Sequence, residues 1–533
     1  MLISFQKKLF SKKISHIVIV FVSSCLTSAG AFDFKNNDGL NKNTLSSNNL
    51  FVSKKLLNKE TSKVVHNADL LDYVRHNLTL DPIVNQRINT ELRWYIKNPN
   101  YLKRVFTRAQ PFMPYIISEL KKNKLPLELA LLPIIESAYD SFAYSHGRAA
   151  GLWQIIPGTA SRFGIKQNWW YDGRRDIVDS TQGALKYLNH LHDLMNNDWL
   201  LAIASYNSGE GNILKAIRNN KNRSKSTDFW NLKLSRETTT YVPRFLALVE
   251  IIRNSEKYNI KLPSVSKNQQ FQEINIDSQL DIALAAKLAD IDIDTLYTLN
   301  AGLNRWATDP NGPHRILIPT IAKKLFLDRF KDLPKNERVR WHRHQVQSGD
   351  TLSEIAEQYH TTVARVISSN KIKNNLIKLG EYLIIPVSTK PIESYSKSKD
   401  ERRNQVQKKP REGNRIEHKV VKGESFWSIG KKYKVSTKNL ATWNNMSPRD
   451  MLSIGKNLVV WSTKPNSLPI SNQKEVKRKL TYTVRNGDSL SLIADRFRIK
   501  ISDLLKWNSL NQTKIIKPGQ KLIIHVDIIQ QSS

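Results

Sequence analysis

The feature of this sequence that most constrains its fold is a motif that occurs three times in the C-terminal third. The copies align without gaps as GDTLSEIA from Gly349, GESFWSIG from Gly423 and GDSLSLIA from Gly487. An Asn follows each Gly at an offset of 21 residues, and a second Gly later precedes an apolar run such as LIIHV. Repeats at such a spacing indicate one small supersecondary unit per copy.

Within each copy the order of signals is strand, Gly turn, helix, helix, Gly turn, strand. In the first copy Leu352, Ile355, Ala356 and Tyr359 follow the spacing of one helical face. A unit of about 45 residues is too small for a large core, so its two strands must pair beneath the two helices. We therefore expect βααβ modules at 343–387, 416–462 and 480–526. The polar stretches 388–415 and 463–479 are expected to be flexible linkers.

The three units resemble the LysM domain, which implies binding of N-acetylglucosamine-containing glycans, chiefly peptidoglycan and chitin. Two departures suggest that affinity differs among the copies. The second has Glu424 where the others have Asp, and the first has Ser369 where the others have Trp443 and Trp507. Residues 265–335 look like a degenerate relative without the Gly-Asp turn, and no binding is assigned to them.

The region from 70 to 260 has a helical pattern. Leu125–Glu136 reads LPLELALLPIIE, and Asp179–Leu194 reads as one long amphipathic helix. The chain of 533 residues predicts three to five domains at roughly 100–200 residues each. Its hydrophobic content of 40% excludes a disordered protein.

Residues 1–31 have the architecture of an export signal. Four lysines precede a short apolar run, Ile17–Val22, and small residues follow it. Two cleavage sites compete: Val22–Cys25 resembles a bacterial lipobox with Cys25 as the lipidated residue, and Ala29–Ala31 resembles an ordinary A-x-A site. We favour lipidation, which would hang the protein from a membrane. Residues 32–69 read as a polar tether.

Glu136 is the first candidate for chemistry. Leu129, Leu132 and Glu136 share one helical face, so this carboxylate lies in an apolar stripe. Burial raises a carboxyl pKa and keeps the proton on at neutral pH, as a general acid requires. A salt-bridged helix glutamate is the alternative interpretation, and Glu136 by itself does not decide between them.

The surrounding motifs suit a sugar-binding groove. They are Gly151-Leu152-Trp153-Gln154, Tyr206-Asn207 and a segment ending in Tyr241. A glycine lets backbone approach a ligand, amide side chains can bind acetamido and hydroxyl groups, and aromatic faces stack on sugar rings. Trp169 and Trp170 are interpreted as core residues.

Glu136-Ser137, Gly151–Gln154, Tyr206-Asn207 and Tyr241, in this order, resemble the soluble lytic transglycosylase family. The resemblance implies a mainly α, goose-lysozyme-like domain over 70–260 that cleaves the MurNAc–GlcNAc β-1,4 bond of peptidoglycan. Glu136 would be the catalytic acid and then base, yielding 1,6-anhydro-MurNAc ends. The implied substrate-binding residues are Ser137, Gly151, Leu152, Gln154, Tyr206, Asn207 and Tyr241. Asp140, one turn further on, is interpreted as structural.

The formal charge of +36 suits a polyanionic partner, or it reflects a coding bias towards Lys and Asn. With one cysteine there is no disulfide framework and no Cys-based zinc site, and we expect neither metal nor cofactor. A muramidase that uses water and a non-catalytic wall-binding protein remain alternatives, whereas nucleic-acid binding is disfavoured by the export signal. The whole pattern predicts a multidomain cell-envelope protein. The more specific prediction is an outer-membrane lipoprotein that faces the periplasm.

Overall fold

The computed structural model describes residues 69–83, 85–462, 477–484, 488–497, 499, 501–510 and 516–527. The predicted signal peptide, Cys25 and nearly all of the tether lie outside these residues, as does most of the second linker. The described residues divide into two compact units, one comprising those up to Arg411 together with Ile416–Trp461, the other comprising Glu412–Arg415 and the described residues from Ser462 onwards. Among the described helices, none has the length and apolar character that a membrane crossing requires.

The described residues from 70 to 253 form a helical domain, as predicted. Its helices are α1 Leu70–His76, α2 Gln86–Lys97, α3 Pro99–Ala109, α4 Met113–Lys122, α5 Leu132–Ser137, α6 Pro157–Arg162, α7 Ile177–Leu194, α8 Trp199–Ser208, α9 Glu210–Lys221 and α10 Arg236–Arg253. They enclose one apolar core to which α5, α7, α8 and α10 all contribute. The buried stripe that contains Glu136 begins in a 3₁₀ helix, Leu127–Leu131, which passes directly into α5.

A small mixed unit follows. Its elements are β1 Phe271–Asn275, α11 Ile282–Ala289, α12 Ile293–Leu299, β2 Arg315–Pro319 and α13 Lys323–Phe330. The strands β1 and β2 pair antiparallel, with Phe271 opposite Pro319. Trp170, interpreted as a core residue, is buried in the core of this unit, and Trp169 packs against the same core. The unit has the strand–helix–helix–strand order of the downstream repeats.

The three repeats are βααβ modules, as predicted. The first comprises β3 Arg340–Gln345, α14 Leu352–Gln358, α15 Val363–Asn370 and β4 Tyr382–Val387; the second β5 Asn414–Lys419, α17 Phe426–Tyr433, α18 Thr437–Trp443 and β6 Asn457–Ser462; the third β7 Lys477–Thr483, α19 Leu490–Arg496, α20 Ile501–Trp507 and β8 Lys521–Asp527. Each module has a two-stranded sheet and its own small apolar core. The prediction of a helical domain followed by small βααβ modules is confirmed.

The Asn at the fixed offset of 21 residues is a structural clamp. In the second module Asn444 is fully buried; its amide Nδ2 donates to Val459 O at 2.8 Å and its Oδ1 accepts from Val459 N at 2.7 Å. The side chain thus satisfies the free edge of a strand in a two-stranded sheet. Equivalent pairs of hydrogen bonds join Asn370 to Ile384, Asn508 to Ile523 and, in the mixed unit at 271–330, Asn300 to Leu317.

The acid that follows the first Gly of the motif also makes a structural contact within each of the first two modules. In the first module His344 Nε2 lies 3.0 Å from Asp350 Oδ2 and its Nδ1 lies 3.0 Å from Tyr359 OH. The second module repeats this arrangement with His418, Glu424 and Tyr433. Glu424 therefore preserves the contact that Asp350 makes, and its departure from the motif is conservative in structural terms.

The structure differs from the prediction of a flexible linker over 388–415. Residues 388–411, called the strap below, contain helix α16, Lys399–Lys408. Tyr395 is fully buried in the core of the unit at 271–330, where its hydroxyl donates to Asp281 Oδ2 at 2.7 Å. The composition indicated a solvated chain because one buried tyrosine and one charged helix leave little apolar signal.

We predict that Asn444→Ala destabilises the second module by about 2–4 kcal/mol. The substitution leaves Val459 N–H and C=O unpaired in a buried place, and each such group costs about 1–3 kcal/mol. Hydrogen exchange of the amides of β6 in the full chain measures the effect. Asn439→Ala, at an exposed position of the adjacent helix, is the control and should change exchange little. Equal protection in both variants would contradict the clamp.

Candidate active site

The buried carboxyl of Glu136 is the centre of the candidate site. Glu136 lies in the last turn of α5, and only 4% of its surface is exposed. The helix ends immediately afterwards, because Ala138 adopts a left-handed conformation with φ of 52°. Tyr139, also left-handed, secures this turn through a 2.7 Å hydrogen bond from its hydroxyl to Ala130 O.

Burial is the main cause of the raised pKa of Glu136. Loss of solvent raises its pKa from 4.5 to about 8; the hydrogen bond from Tyr241 opposes this rise and the nearby Glu237 carboxylate adds to it. The carboxyl group is therefore mostly protonated at neutral pH. The Tyr241 hydroxyl donates to Glu136 Oε1 at 2.5 Å, and burial raises the pKa of Tyr241 so that this phenol keeps its proton. The salt-bridged alternative for Glu136 is not what the structure shows.

Tyr206 and Asn207 come from the end of α8 and join the same site. The Tyr206 hydroxyl donates to Trp153 O at 2.7 Å, and burial followed by the nearby Glu136 raises the pKa of Tyr206. Asn207 Oδ1 accepts from Thr238 Oγ1 at 2.9 Å, which ties α8 to the start of α10. Both residues are more than 90% buried.

The turn at 151–154 has two distinct features. A Cβ on Gly151, where φ is +76°, would lie 2.0 Å from Arg174 O, so the glycine is needed for contact with the protein's own backbone. The sequence predicts that Gly151 lets backbone approach a ligand, whereas in the structure the glycine is needed for the close approach of Arg174 O. Gln154 is left-handed with φ of 47°; its Nε2 donates to Gly151 O at 2.9 Å, whereas its buried Oε1 has no hydrogen-bond partner.

Ser137 and Leu152 join α5 to this turn. Ser137 Oγ lies 2.9 Å from Leu152 O and 3.1 Å from Pro133 O, and both Ser137 and Leu152 are buried. A closed circuit of hydrogen bonds therefore surrounds Glu136: α5 to the turn, the turn to α8, α8 to α10, and α10 back to α5. The structure brings all eight predicted site residues other than Cys25 into this one arrangement.

Glu237 and Thr238 belong to the site, although the sequence analysis does not identify them as site residues. Glu237 accepts a 3.3 Å hydrogen bond from Asn207 Nδ2 and raises the pKa of Glu136, while Thr238 is buried beside them. A signal was available, because these two residues precede Tyr241 by four and three positions and so share its face of the helix. Asp140 is engaged elsewhere, since its Oδ1 accepts from Phe142 N at 2.9 Å.

We predict that Glu136→Gln is more stable than wild type at neutral and alkaline pH. From pH 4.5 to about 8 the unfolded carboxyl ionises while the folded one stays protonated, so wild type loses stability as pH rises and the loss levels off above 8. At about 1.4 kcal/mol per pKa unit the difference grows to a few kcal/mol. Chemical unfolding at several pH values, followed by circular dichroism, measures it.

The control for that experiment is Glu250→Gln, more than two helical turns beyond Tyr241 on α10. This variant should keep the wild-type dependence on pH. A Glu136→Gln variant that tracks wild type from pH 4 to 9 would refute the raised pKa.

Comparison with protein families gives three matches along the chain. Residues 113–229 match the family model of the transglycosylase SLT domain. Residues 270–333 match the LysM-like domain of the lytic transglycosylase MltD, and residues 344–386, 418–461 and 482–525 match the LysM domain. The family model for 270–333 agrees with the interpretation of that region as a relative of the repeats.

Two curated relatives match different shares of the chain. Membrane-bound lytic murein transglycosylase D of Escherichia coli strain K12 is 34% identical over 425 residues, which cover 76% of this chain and 89% of that protein. A putative tributyltin chloride resistance protein of an Alteromonas species is 48% identical over 122 residues, 23% of this chain and 59% of that protein.

Solved structures overlap only in part. The 70 kDa soluble lytic transglycosylase of Escherichia coli is 20% identical, covers 31% of this chain and 30% of its own length, and has a TM-score of 0.24. An inactive variant of the lytic transglycosylase Slt from Pseudomonas aeruginosa is 24% identical, with coverage of 29% and 25% and a TM-score of 0.21. Since the similarity to the Escherichia coli strain K12 protein extends over three quarters of the chain, this chain belongs to the family of membrane-bound lytic murein transglycosylase D.

Proposed function

We propose that this protein cleaves the MurNAc–GlcNAc β-1,4 bond of peptidoglycan and forms 1,6-anhydro-MurNAc ends. The observation that carries the proposal is the Glu136 carboxyl, buried among α5, α8 and α10 with its pKa raised to about 8. A carboxyl that holds its proton at neutral pH is suited to protonating a leaving-group oxygen. Membership of the lytic transglycosylase D family supports the same reaction.

In the proposed mechanism Glu136 acts twice. It first gives its proton to the glycosidic oxygen, and the bond from C1 of MurNAc to that oxygen breaks. The C6 hydroxyl oxygen of the same MurNAc then bonds to C1. The Glu136 carboxylate takes the proton of that hydroxyl, which restores the acid. An internal nucleophile has a high effective molarity, so the reaction needs no second carboxylate to activate water.

The neighbouring residues are proposed to orient the acid and the sugar. Tyr241 holds Oε1 of Glu136 by its 2.5 Å hydrogen bond and so fixes the carboxyl plane. The unpartnered Oε1 of Gln154 is suited to accept an acetamido N–H. Ser137, Gly151 and Leu152 would maintain the turn beside the acid, and Tyr206 and Asn207 would complete the wall of the groove.

Glu237 favours one second candidate function. It is a carboxylate close enough to raise the pKa of Glu136, and a muramidase would need a second carboxylate of this kind. Its hydrogen bond with Asn207 is consistent with a structural role instead. The product decides between the two: a muramidase leaves reducible MurNAc ends, whereas the proposed enzyme does not.

The remaining regions are proposed to deliver the catalytic domain to its polymer. We assign 70–260 to catalysis, 265–335 to a LysM-like unit without assigned binding, and 343–387, 416–462 and 480–526 to modules that bind glycan strands. Peptidoglycan is thus the proposed partner at both the groove and the modules, and we propose no role for nucleic acid. The wall-binding alternative would leave the buried Glu136 without a role.

We further propose that residues 1–31 direct export and that Cys25 carries the lipid anchor of an outer-membrane lipoprotein facing the periplasm. The basis is the Val22–Cys25 pattern together with Cys25 being the one cysteine of the chain. The relative in Escherichia coli strain K12 is described as membrane-bound. These residues lie outside those that the structure describes.

We predict that Glu136→Gln abolishes turnover while leaving binding to insoluble sacculi unchanged, because the amide keeps the shape and removes the proton. Glu250→Gln should retain activity. With wild type, mass analysis of digested peptidoglycan should give muropeptides one water lighter than hydrolytic products and resistant to borohydride. Substantial turnover by Glu136→Gln, or predominantly reducible ends with wild type, would overturn the proposal.

We predict that Cys25→Ala moves the mature protein from the membrane fraction to the soluble fraction, because no other thiol can accept the lipid. Ala31→Val tests the competing A-x-A site and should leave fractionation unchanged. Membrane association of Cys25→Ala equal to wild type, after a high-salt wash that removes charge-driven binding, would favour cleavage at Ala31.

A further inference from the structure

The second module contacts the helical domain through one acidic side chain. Asp450 lies between helix α18 and strand β6, and its Oδ1 accepts a 2.8 Å hydrogen bond from Tyr144 OH. The same oxygen lies 3.1 Å from Arg148 Nε in an ion pair. Beside it, the fully buried Ser447 donates from its Oγ to His146 O at 2.5 Å. The module is therefore docked on one short segment of the helical domain.

Residues 143–150, called the docking loop below, are that segment, and they run directly into the turn at 151–154. Gly151 N donates to Ala143 O at 3.0 Å, which closes the base of the loop. Ala150 forms one antiparallel bridge with a residue of the loop and another with the residue that follows the turn. The docking loop and the active-site turn thus form one backbone structure, so a displacement of the loop also displaces the turn.

Arg148 is the strained residue of the docking loop. It is left-handed with φ of 68°, a conformation that costs free energy in a residue with a Cβ and persists where contacts hold it. From the helical domain, Arg174 Nη1 donates to Arg148 O at 2.6 Å. From the second module, Asp450 pairs with the Arg148 side chain. Loss of the Asp450 carboxylate therefore removes one of the contacts that hold this residue.

Tyr144 is also held from two sides. Within the helical domain, the Arg175 guanidinium lies 5.3 Å from the centroid of the Tyr144 ring. Towards the second module, the Tyr144 hydroxyl donates to Asp450. Burial, followed by the Asp450 charge, raises the pKa of Tyr144 to about 12, so the phenol keeps its proton and remains the donor.

The acid at position 450 is particular to the second module. It lies five residues before Gly455, and at the same distance before the second Gly the first module has Asn375 and the third has Lys514. Those two modules have their own sheets and cores, so the fold of a module does not require an acid there. The contacts of Asp450 with the docking loop give this acid a different purpose.

The strap keeps the second module close to the docking loop. Its Tyr395 is buried in the core of the mixed unit, and Lys399 N donates to Asn304 O at 2.8 Å. Further along the strap, Gln407 Nε2 donates to Asn444 Oδ1 of the second module at 2.7 Å. A connection fixed in this way raises the effective concentration of the module at the loop. A few polar contacts are then enough to hold it there.

From these contacts we infer that Asp450 is a positioning residue for the active site, contributed by the second module. Asp450 holds the docking loop, and the loop holds the turn at 151–154. That turn accepts the hydrogen bond of Ser137 from α5 and carries Gln154. The second module thus completes the catalytic domain in addition to its proposed binding of glycan. The effect on turnover rests on the proposed function, whereas the effect on the loop does not.

The first test measures hydrogen exchange of the Ser145 and Gly151 amides in the full chain. Asp450→Asn removes the charge but keeps an oxygen that can accept from Ser447 N, as Asp450 Oδ2 does at 2.9 Å, so the turn within the module is preserved. Exchange should be about tenfold faster than in wild type, since a hydrogen bond to a charged group is lost. Glu417→Gln, exposed on β5 of the same module, is the matched control and should exchange as wild type does.

The second test measures kcat and KM on short soluble glycan strands. Asp450→Asn should lower kcat about three- to tenfold, because a loosened turn misplaces the groups around the acid. If the module only bound glycan, KM would rise and kcat would not change. Tyr144→Phe breaks the same contact from the opposite side. The double variant should therefore be no slower than the slower single variant, whereas independent damage to the module would multiply the two effects.

The inference is overturned if the loop amides of Asp450→Asn exchange as slowly as those of Glu417→Gln. It is also overturned if exchange becomes faster while kcat stays at the wild-type value, or if the effects of Asp450→Asn and Tyr144→Phe multiply. Absence of turnover by wild type would instead defeat the proposed function. In that case faster exchange in Asp450→Asn still supports the docking role, and unchanged exchange overturns it.

Discussion

The site depends on keeping one carboxyl group, that of Glu136, away from water. Burial raises its pKa to about 8, and four hydrogen bonds link α5, the turn at 151–154, α8 and α10 in a closed circuit around it. An uncompensated carboxylate would be expensive there, so the group stays protonated and Tyr241 donates to it. The stability that the fold loses by burying an acid is the physical basis of the proposed chemistry.

The modules obey a different constraint, because a two-stranded sheet leaves an exposed edge on each strand. The Asn clamp satisfies that edge with a side chain, and it appears in all four βααβ units, including the one whose Gly-Asp turn is missing. The clamp explains why the offset of 21 residues is kept while Trp443 and Ser369 differ at the preceding position. The fixed offset is therefore explained by the stability of the fold, whether or not these residues also contact a glycan.

The strap shows where composition misleads. Its charged and polar sequence predicts a solvated linker, but the Tyr395–Asp281 hydrogen bond and the Arg305–Asp400 ion pair hold residues 388–411 on the unit at 271–330. These contacts join residues about a hundred positions apart, so no local sequence pattern predicts them. The unit at 271–330 therefore packs against a segment that composition assigns to a linker between domains.

The sequence by itself determined the helical and βααβ classes, the three repeats, the apolar stripe around Glu136 and the motifs that line its groove. These follow from periodicity and fixed offsets, which are local properties of a chain. Only the tertiary structure decided that Gly151 is required by Arg174 O, that Glu237 lies beside Glu136 and that Tyr395 of the strap is buried with its hydroxyl on Asp281. Each of these depends on which distant segments pack together, and desolvation and charge proximity arise only when they do.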